Sequence, residues 1–193
     1  VPEHALKEWA VTCEALARGD QVLVLRKGGI GEKRFELPHR RFFLMPTHLH
    51  QREDLVKPER REALAGPLGR REEPARLALP AYAELHAGYE IRDPEALKAI
   101  EGLHILTRDY AAERLRWRRK QPLWGVVLRV WRPLDPPVID LLPEHGGCVS
   151  WVALPPEVLP GTLAPALDDE AFAAAAEAVR EALEGVGVGR SAG

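Results

Sequence analysis

The alternation of apolar and polar positions is clearest over residues 76–91. Leu77, Leu79, Ala81, Ala83, Leu85, Ala87, Tyr89 and Ile91 take every second place, with Arg76, Tyr82, Glu84, His86 and Glu90 between them. A period of two predicts extended chain, either one kinked strand or two, since Pro80 and Gly88 interrupt it. Val22–Leu25 is apolar without alternation, which predicts a strand covered on both faces. Residues 34–45 read as extended with a bend at Pro38. Leu123–Arg132 alternates again, with Trp124, Val126, Leu128 and Val130 on one side, and residues 138–142 and 149–154 add further strands.

Helical spacing appears elsewhere. Leu6, Trp9, Ala10, Cys13, Leu16 and Ala17 recur every three or four residues. They predict an amphipathic helix over 3–18 that Gly19 stops, leaving Lys7, Glu14 and Arg18 toward water. Asp93-Pro94-Glu95 opens a short helix to Ile100, and Leu103–Leu106 reads as a brief strand. Thr107 caps a helix running to about Trp117. Asp168 or Asp169 caps the last one, whose buried stripe is Phe172, Ala175, Ala176, Val179 and Leu183. Residues 52–76 are rich in charge, proline and glycine, so a surface excursion with one short helix at 58–65 is expected.

No regular strand–helix alternation emerges, which favours α+β over a doubly wound fold. The expected architecture is a single domain over residues 1–184 with a curved, mainly antiparallel or mixed sheet. A partly closed barrel is one form of it. N-terminal, central and C-terminal helices flank the sheet, and the glycine-rich residues 185–193 form a disordered tail.

Composition narrows the function classes. Lys and Arg number 27 against 29 Asp and Glu, a net charge of −2. No global field draws the chain to nucleic acid or an anionic membrane, so any such contact needs a local patch. Arginine far exceeds lysine, asparagine is absent and methionine occurs once, a thermophile-like pattern that a GC-rich genome would also leave. Cys13 and Cys148 do not make a disulfide framework, and no long apolar run is present. A cytoplasmic protein without membrane contact is expected.

Three stretches carry a resemblance. The first is Ala5-Leu-Lys-Glu-Trp-Ala with Cys13-Glu14-Ala15-Leu16. The second runs from Leu25-Arg-Lys-Gly-Gly-Ile30 through Phe43 to Pro46-Thr47 and His50-Gln51, and the third is Gly147-Cys148-Val149-Ser150-Trp151-Val152. Together they resemble the uncharacterised prokaryotic family known as domain of unknown function 1802, over most of residues 5–154. The resemblance carries no established activity. It implies a link to restriction and modification of DNA, because some relatives are joined to a restriction-endonuclease-like domain, for which this chain has no room.

Candidate chemistry concentrates between Gln21 and Gln51. In the loop 26–34, Gly28, Gly29 and Gly31 expose backbone N–H groups, and Arg26, Lys27 and Arg34 could hold a phosphate against them. The spacing is neither a P-loop nor a dinucleotide fingerprint, and a hairpin turn with solvated charges fits equally. His48 and His50 would lie about 7 Å apart on one side of an extended segment. With His39 they form the weak metal alternative, short of an assured third ligand. Cys148 beside Gly147 has the look of an exposed thiol, yet no base is fixed near it. Acids and lysines near the loop lack the spacing of restriction-type nucleases. The run Arg114–Lys120 is the strongest basic patch, with Trp117 placed to stack on a base, although cations also suit a helix C-terminus.

The expectation is a nucleic-acid-associated module binding DNA or RNA. Its anion-binding residues would be Arg26, Lys27, Gly28, Gly29, Arg34 and Arg116, with His39 and His50 making polar or base-edge contacts. The alternatives are a metal-dependent hydrolase or nuclease with a site in 26–50 (Glu32, His39, His48 and His50) and a protein-interaction subunit. Whether the chain is an enzyme, its cofactors and its oligomeric state stay open.

Overall fold

The computed structural model describes residues 3–27, 36–117, 120–147 and 149–191. Its strands are β1 (His4–Trp9), β2 (Leu23–Arg26), β3 (Arg41–Thr47), β4 (Arg76–Ala78), β5 (Ala81–Ile91), β6 (Leu123–Pro133), β7 (Val138–Asp140), β8 (Trp151–Ala153), β9 (Leu163–Pro165) and β10 (Arg190–Ser191). Its helices are α1 (Ala10–Arg18), α2 (Pro58–Arg61), α3 (Ala65–Gly69), α4 (Pro94–Ala99), α5 (Arg108–Arg116) and α6 (Asp169–Glu184). The main sheet runs β2-β6-β5-β3-β1-β8, with β9 beside β6 and β10 beside β5. β1 and β3 are parallel and the other pairs antiparallel. The fold is therefore α+β in one domain, with a mixed sheet that does not close into a barrel.

The sheet is covered on both faces, which explains why its central strands are apolar throughout. Along β3, Phe42 and Leu44 pack with Cys13 and Leu16 of α1 and with Val126 and Leu128 of β6. Phe43 and Met45 point the other way, onto Leu77 and Ile139 of the β4–β7 ribbon. A third cluster joins Leu23, Leu123 and Val127 to α4, α5 and α6. The predicted caps form: Asp93 accepts from Glu95 N–H, Thr107 from Tyr110 N–H and Asp168 from Ala171 N–H. Each contributes about 1 kcal/mol. Gly19 ends α1 at φ 77°, where an added Cβ would lie 2.7 Å from Leu167 Cδ2.

Several expectations need correction. The helix expected over 3–18 is a strand as far as Trp9 and a helix only from Ala10. Ala, Leu, Lys and Glu favour helix, but β1 sits between β3 and β8, and pairing on both edges overrides propensity. At 76–91, by contrast, the two-strand form expected as one alternative is found, and β5 carries a bulge between Leu85 and Ala87. Residues 58–65 hold a four-residue helix, with α3 following, in place of one helix. Leu106 makes only an isolated bridge to Val56. Beyond Gly185 the chain turns back, and Arg190 and Ser191 pair with Tyr89 and Gly88 where a disordered tail is expected. Among the described residues, no helix is long and apolar enough to cross a membrane.

Candidate nucleic-acid interface

The end of β1 brings charge into the interior. Lys7 and Glu8 are 7% and 5% exposed, and the positions before them on β1, Ala5 and Leu6, are fully buried core. Lys7 Nζ donates to the carbonyls of His145 and Gly147, at 2.8 and 2.9 Å. Glu8 Oε1 accepts from Trp9 N–H at 2.8 Å, and its Oε2 accepts from Arg26 Nη1 at 2.9 Å. The same Arg26 nitrogen donates to the Lys7 carbonyl, also at 2.9 Å. Arg26 is the last residue of β2, so two strands that are not neighbours in the sheet are joined here by one ion pair.

Lys27 follows at once and turns toward α5. Its Nζ donates to the Arg114 and Leu115 carbonyls at 3.1 and 3.0 Å, where a helix end carries partial negative charge. Burial and then the nearby Arg114 charge hold its pKa below the usual lysine range. The Arg114 guanidinium lies 5.4 Å from the Tyr110 ring centre and 5.9 Å from that of Trp117.

These groups line a cleft of about 440 Å³, together with Trp9, Thr47, Leu49, His50, Trp117, Val149 and Ser150. The cleft continues past Trp9, His50, Arg114 and Trp117 into a compartment of about 330 Å³ that adds Leu55 and Tyr110. On the other side, past Lys7, Thr47 and Leu49, it meets a smaller space of about 130 Å³ beside Met45 and Leu142. The rim at 47–50 is held from outside. Glu73 accepts from Thr47 Oγ1 and His48 N–H, both at 2.6 Å, and from Leu49 N–H at 3.1 Å. Burial raises the Glu73 pKa, but these hydrogen bonds outweigh it and leave the carboxyl below its ordinary value. Among the described residues, His50 is the non-glycine at positive φ, 60°.

Charge decides what the cleft can do. Among the described residues that line the cleft, Lys7, Arg26, Lys27 and Arg114 are the Lys and Arg cations and Glu8 is the carboxylate. Lys7 and Lys27 donate to backbone carbonyls, which do not cancel their charge, so the described lining carries more positive than negative charge in partly desolvated surroundings. Such a place attracts an anion more strongly than the same charges would on open surface.

The expected site residues divide accordingly. Arg26, Lys27 and His50 meet in the cleft. Gly28, Gly29 and Arg34, with Glu32 of the hydrolase alternative, fall outside the described residues, as does Cys148. Arg116 is exposed on the last turn of α5, and Arg114 and Trp117, three residues apart, take the cleft-facing side. His39 stacks on His4 at 3.7 Å and packs edge-on to Trp151, at the opposite end of β1 from Lys7 and Glu8. Burial and then the His4 charge lower its pKa. His48 turns inward with Nδ1 3.6 Å from Glu73. The three histidines of the metal alternative are thus not brought together. No group of three or more His, Cys, Asp or Glu able to hold a metal occurs among the described residues. From the sequence, Lys7 and Glu8 counted only among the lysines and acids weighed for a nuclease pattern, because the helical period assigned Lys7 to water.

The model of one family, described as Domain of unknown function (DUF1802), matches residues 5–178. The chain belongs to that family. Its DUF1802 region spans every element that builds the cleft. A comparison with curated proteins gives no match. Among solved structures, the chain is similar to the ASCH protein of Zymomonas mobilis. One variant is 15% identical over 80% of this chain and 91% of that one, with a TM-score of 0.44. The unsubstituted protein is 14% identical over 75% and 90%, with a TM-score of 0.41. A likeness that distant carries no functional argument for this DUF1802 chain.

Proposed function

We propose that this DUF1802 chain is a nucleic-acid-associated module and that the cleft between β1, β2 and α5 holds the phosphate backbone of its ligand. One observation carries the reading. Lys7, Arg26, Lys27 and Arg114 come from three separate parts of the chain and converge on a cleft whose described lining holds one carboxylate, although the whole chain is slightly acidic. A structural role alone needs charge balance, because unbalanced buried charge costs stability. Retained excess charge is what an anionic ligand offsets, and a phosphodiester chain supplies both the charge and the length to follow a trench. The restriction and modification link implied by the family resemblance makes DNA the first probe, with RNA beside it.

The test is fluorescence anisotropy of labelled DNA and RNA at low ionic strength. Binding is expected to fall steeply as salt rises, and Arg114→Gln is expected to weaken it on every sequence while lowering the salt slope by about one. Absence of salt-dependent binding to any nucleic acid contradicts the proposal.

A further inference from the structure

The compartment beside the cationic cleft differs from it in kind. Its walls are Trp9, Leu55, Tyr110 and Trp117, with His50, Arg52, Glu113 and Arg114 at the rim. Trp9 and Tyr110 are fixed: they are 8% and 4% exposed and pack on each other at 5.1 Å between ring centres. Trp117 is only half-buried and stands just past α5, where its backbone leaves the helix for extended geometry. The compartment therefore has a rigid aromatic wall and a third, less buried ring on its lining. At about 330 Å³ it falls within the size range of small-ligand sites, roughly 300–1,000 Å³.

Arg114 joins the two spaces. It lines both the cationic cleft and the aromatic compartment, and its guanidinium lies close to the Tyr110 and Trp117 rings. An apolar, ring-lined space next to a phosphate-attracting one fits an aromatic heterocycle tethered to a phosphate. In a duplex the bases are stacked inside and cannot enter such a space. In a single strand they can, and stacking on an aromatic side chain strengthens binding by about tenfold or more per base.

Resting on the phosphate-binding reading above, we infer that the compartment walled by Trp9, Tyr110 and Trp117 takes an unpaired nucleobase. The ligand is then single-stranded, with the phosphate next to that base in the cleft of Lys7, Arg26 and Lys27. Because stacking reads the face of a base and not its edge, sequence preference is weak at this position. Arg52 and Glu113 at the rim are exposed and add little selection.

The experiment compares oligothymidylate and oligouridylate single strands with a DNA duplex of equal length, by anisotropy and by intrinsic tryptophan fluorescence. Trp117→Ala and Trp117→Phe accompany the unsubstituted chain. Single strands are expected to bind at least about tenfold more tightly than duplex and to quench the tryptophan emission. Trp117→Ala should lose about tenfold in affinity with an unchanged salt slope, whereas Trp117→Phe keeps most of it. Binding of either single strand in this pattern supports the inference. Equal binding of duplex, or full affinity in Trp117→Ala, overturns it and leaves phosphate binding standing if the salt dependence persists. Loss of salt-dependent binding altogether overturns both.

Discussion

The inward-facing charges and the outward-facing ones follow opposite rules in this molecule. On the surface, several arginines pair with acids. Arg180 holds Glu177 and Glu184 on α6, Arg52 holds Asp54, and Arg108 holds Glu101. Those pairs cancel, and exposed pairs of this kind contribute little. Inside, among the described residues, Lys7, Arg26 and Lys27 donate to one carboxylate and a set of carbonyl oxygens, and Arg114 donates to the Tyr110 hydroxyl. The difference separates charge that keeps a surface soluble from charge stationed where a ligand can use it.

The largest expected effect comes from breaking the inner set at Glu8. Glu8→Ala leaves Arg26 without its ion-pair partner in a mostly buried place and should cost about 3 kcal/mol in denaturant unfolding. The outer counterpart, Arg180→Ala, should leave the unfolding midpoint where it is.

A second contrast is with pH. His104 is buried, its Nδ1 accepts from Leu106 N–H, and burial followed by the Lys57 charge lowers its pKa to about 4. The unfolded state, with an ordinary value near 6.5, binds the proton first. Stability from this group is therefore complete above pH 6.5 and is lost as pH falls toward 4, by an amount on the order of 3 kcal/mol. His104→Asn keeps an acceptor for Leu106 and should flatten that part of the acid-unfolding curve. An unchanged curve would show that the acid sensitivity lies elsewhere.

Smaller again is the clamp on the rim. Glu73→Gln keeps the shape but weakens three hydrogen bonds to a charged acceptor, at a cost of about 1–2 kcal/mol. Amide exchange at His48 and Leu49 should rise, with no matching rise in α6. Equal acceleration in both places would mean global destabilisation and not a local clamp.

Much of this arrangement could be read from residue patterns, and the failures have definite causes. The Gln21–Gln51 stretch does supply the cleft, through Arg26, Lys27, Thr47, Leu49 and His50. The basic end of α5 was recognisable too, but the facing residue depends on helix phase: Arg114 and Trp117 share one side, and Arg116 does not. The inward placement of Lys7 and Glu8 was hidden because their neighbours favour helix, and only pairing with β3 and β8 makes them strand. His39 looked close to His50 along the chain. In space β3 carries the two apart, since His39 precedes its first residue and His50 follows its last.

The central claim concerns the positive excess in the cleft. Its most direct measurement is the slope of log affinity against log salt for a single-stranded oligonucleotide, with the unsubstituted chain beside Lys27→Gln and Arg114→Gln. A steep slope that falls by about one for each substitution is the predicted result. Slopes that match in all three proteins, or affinity that ignores salt, would contradict it.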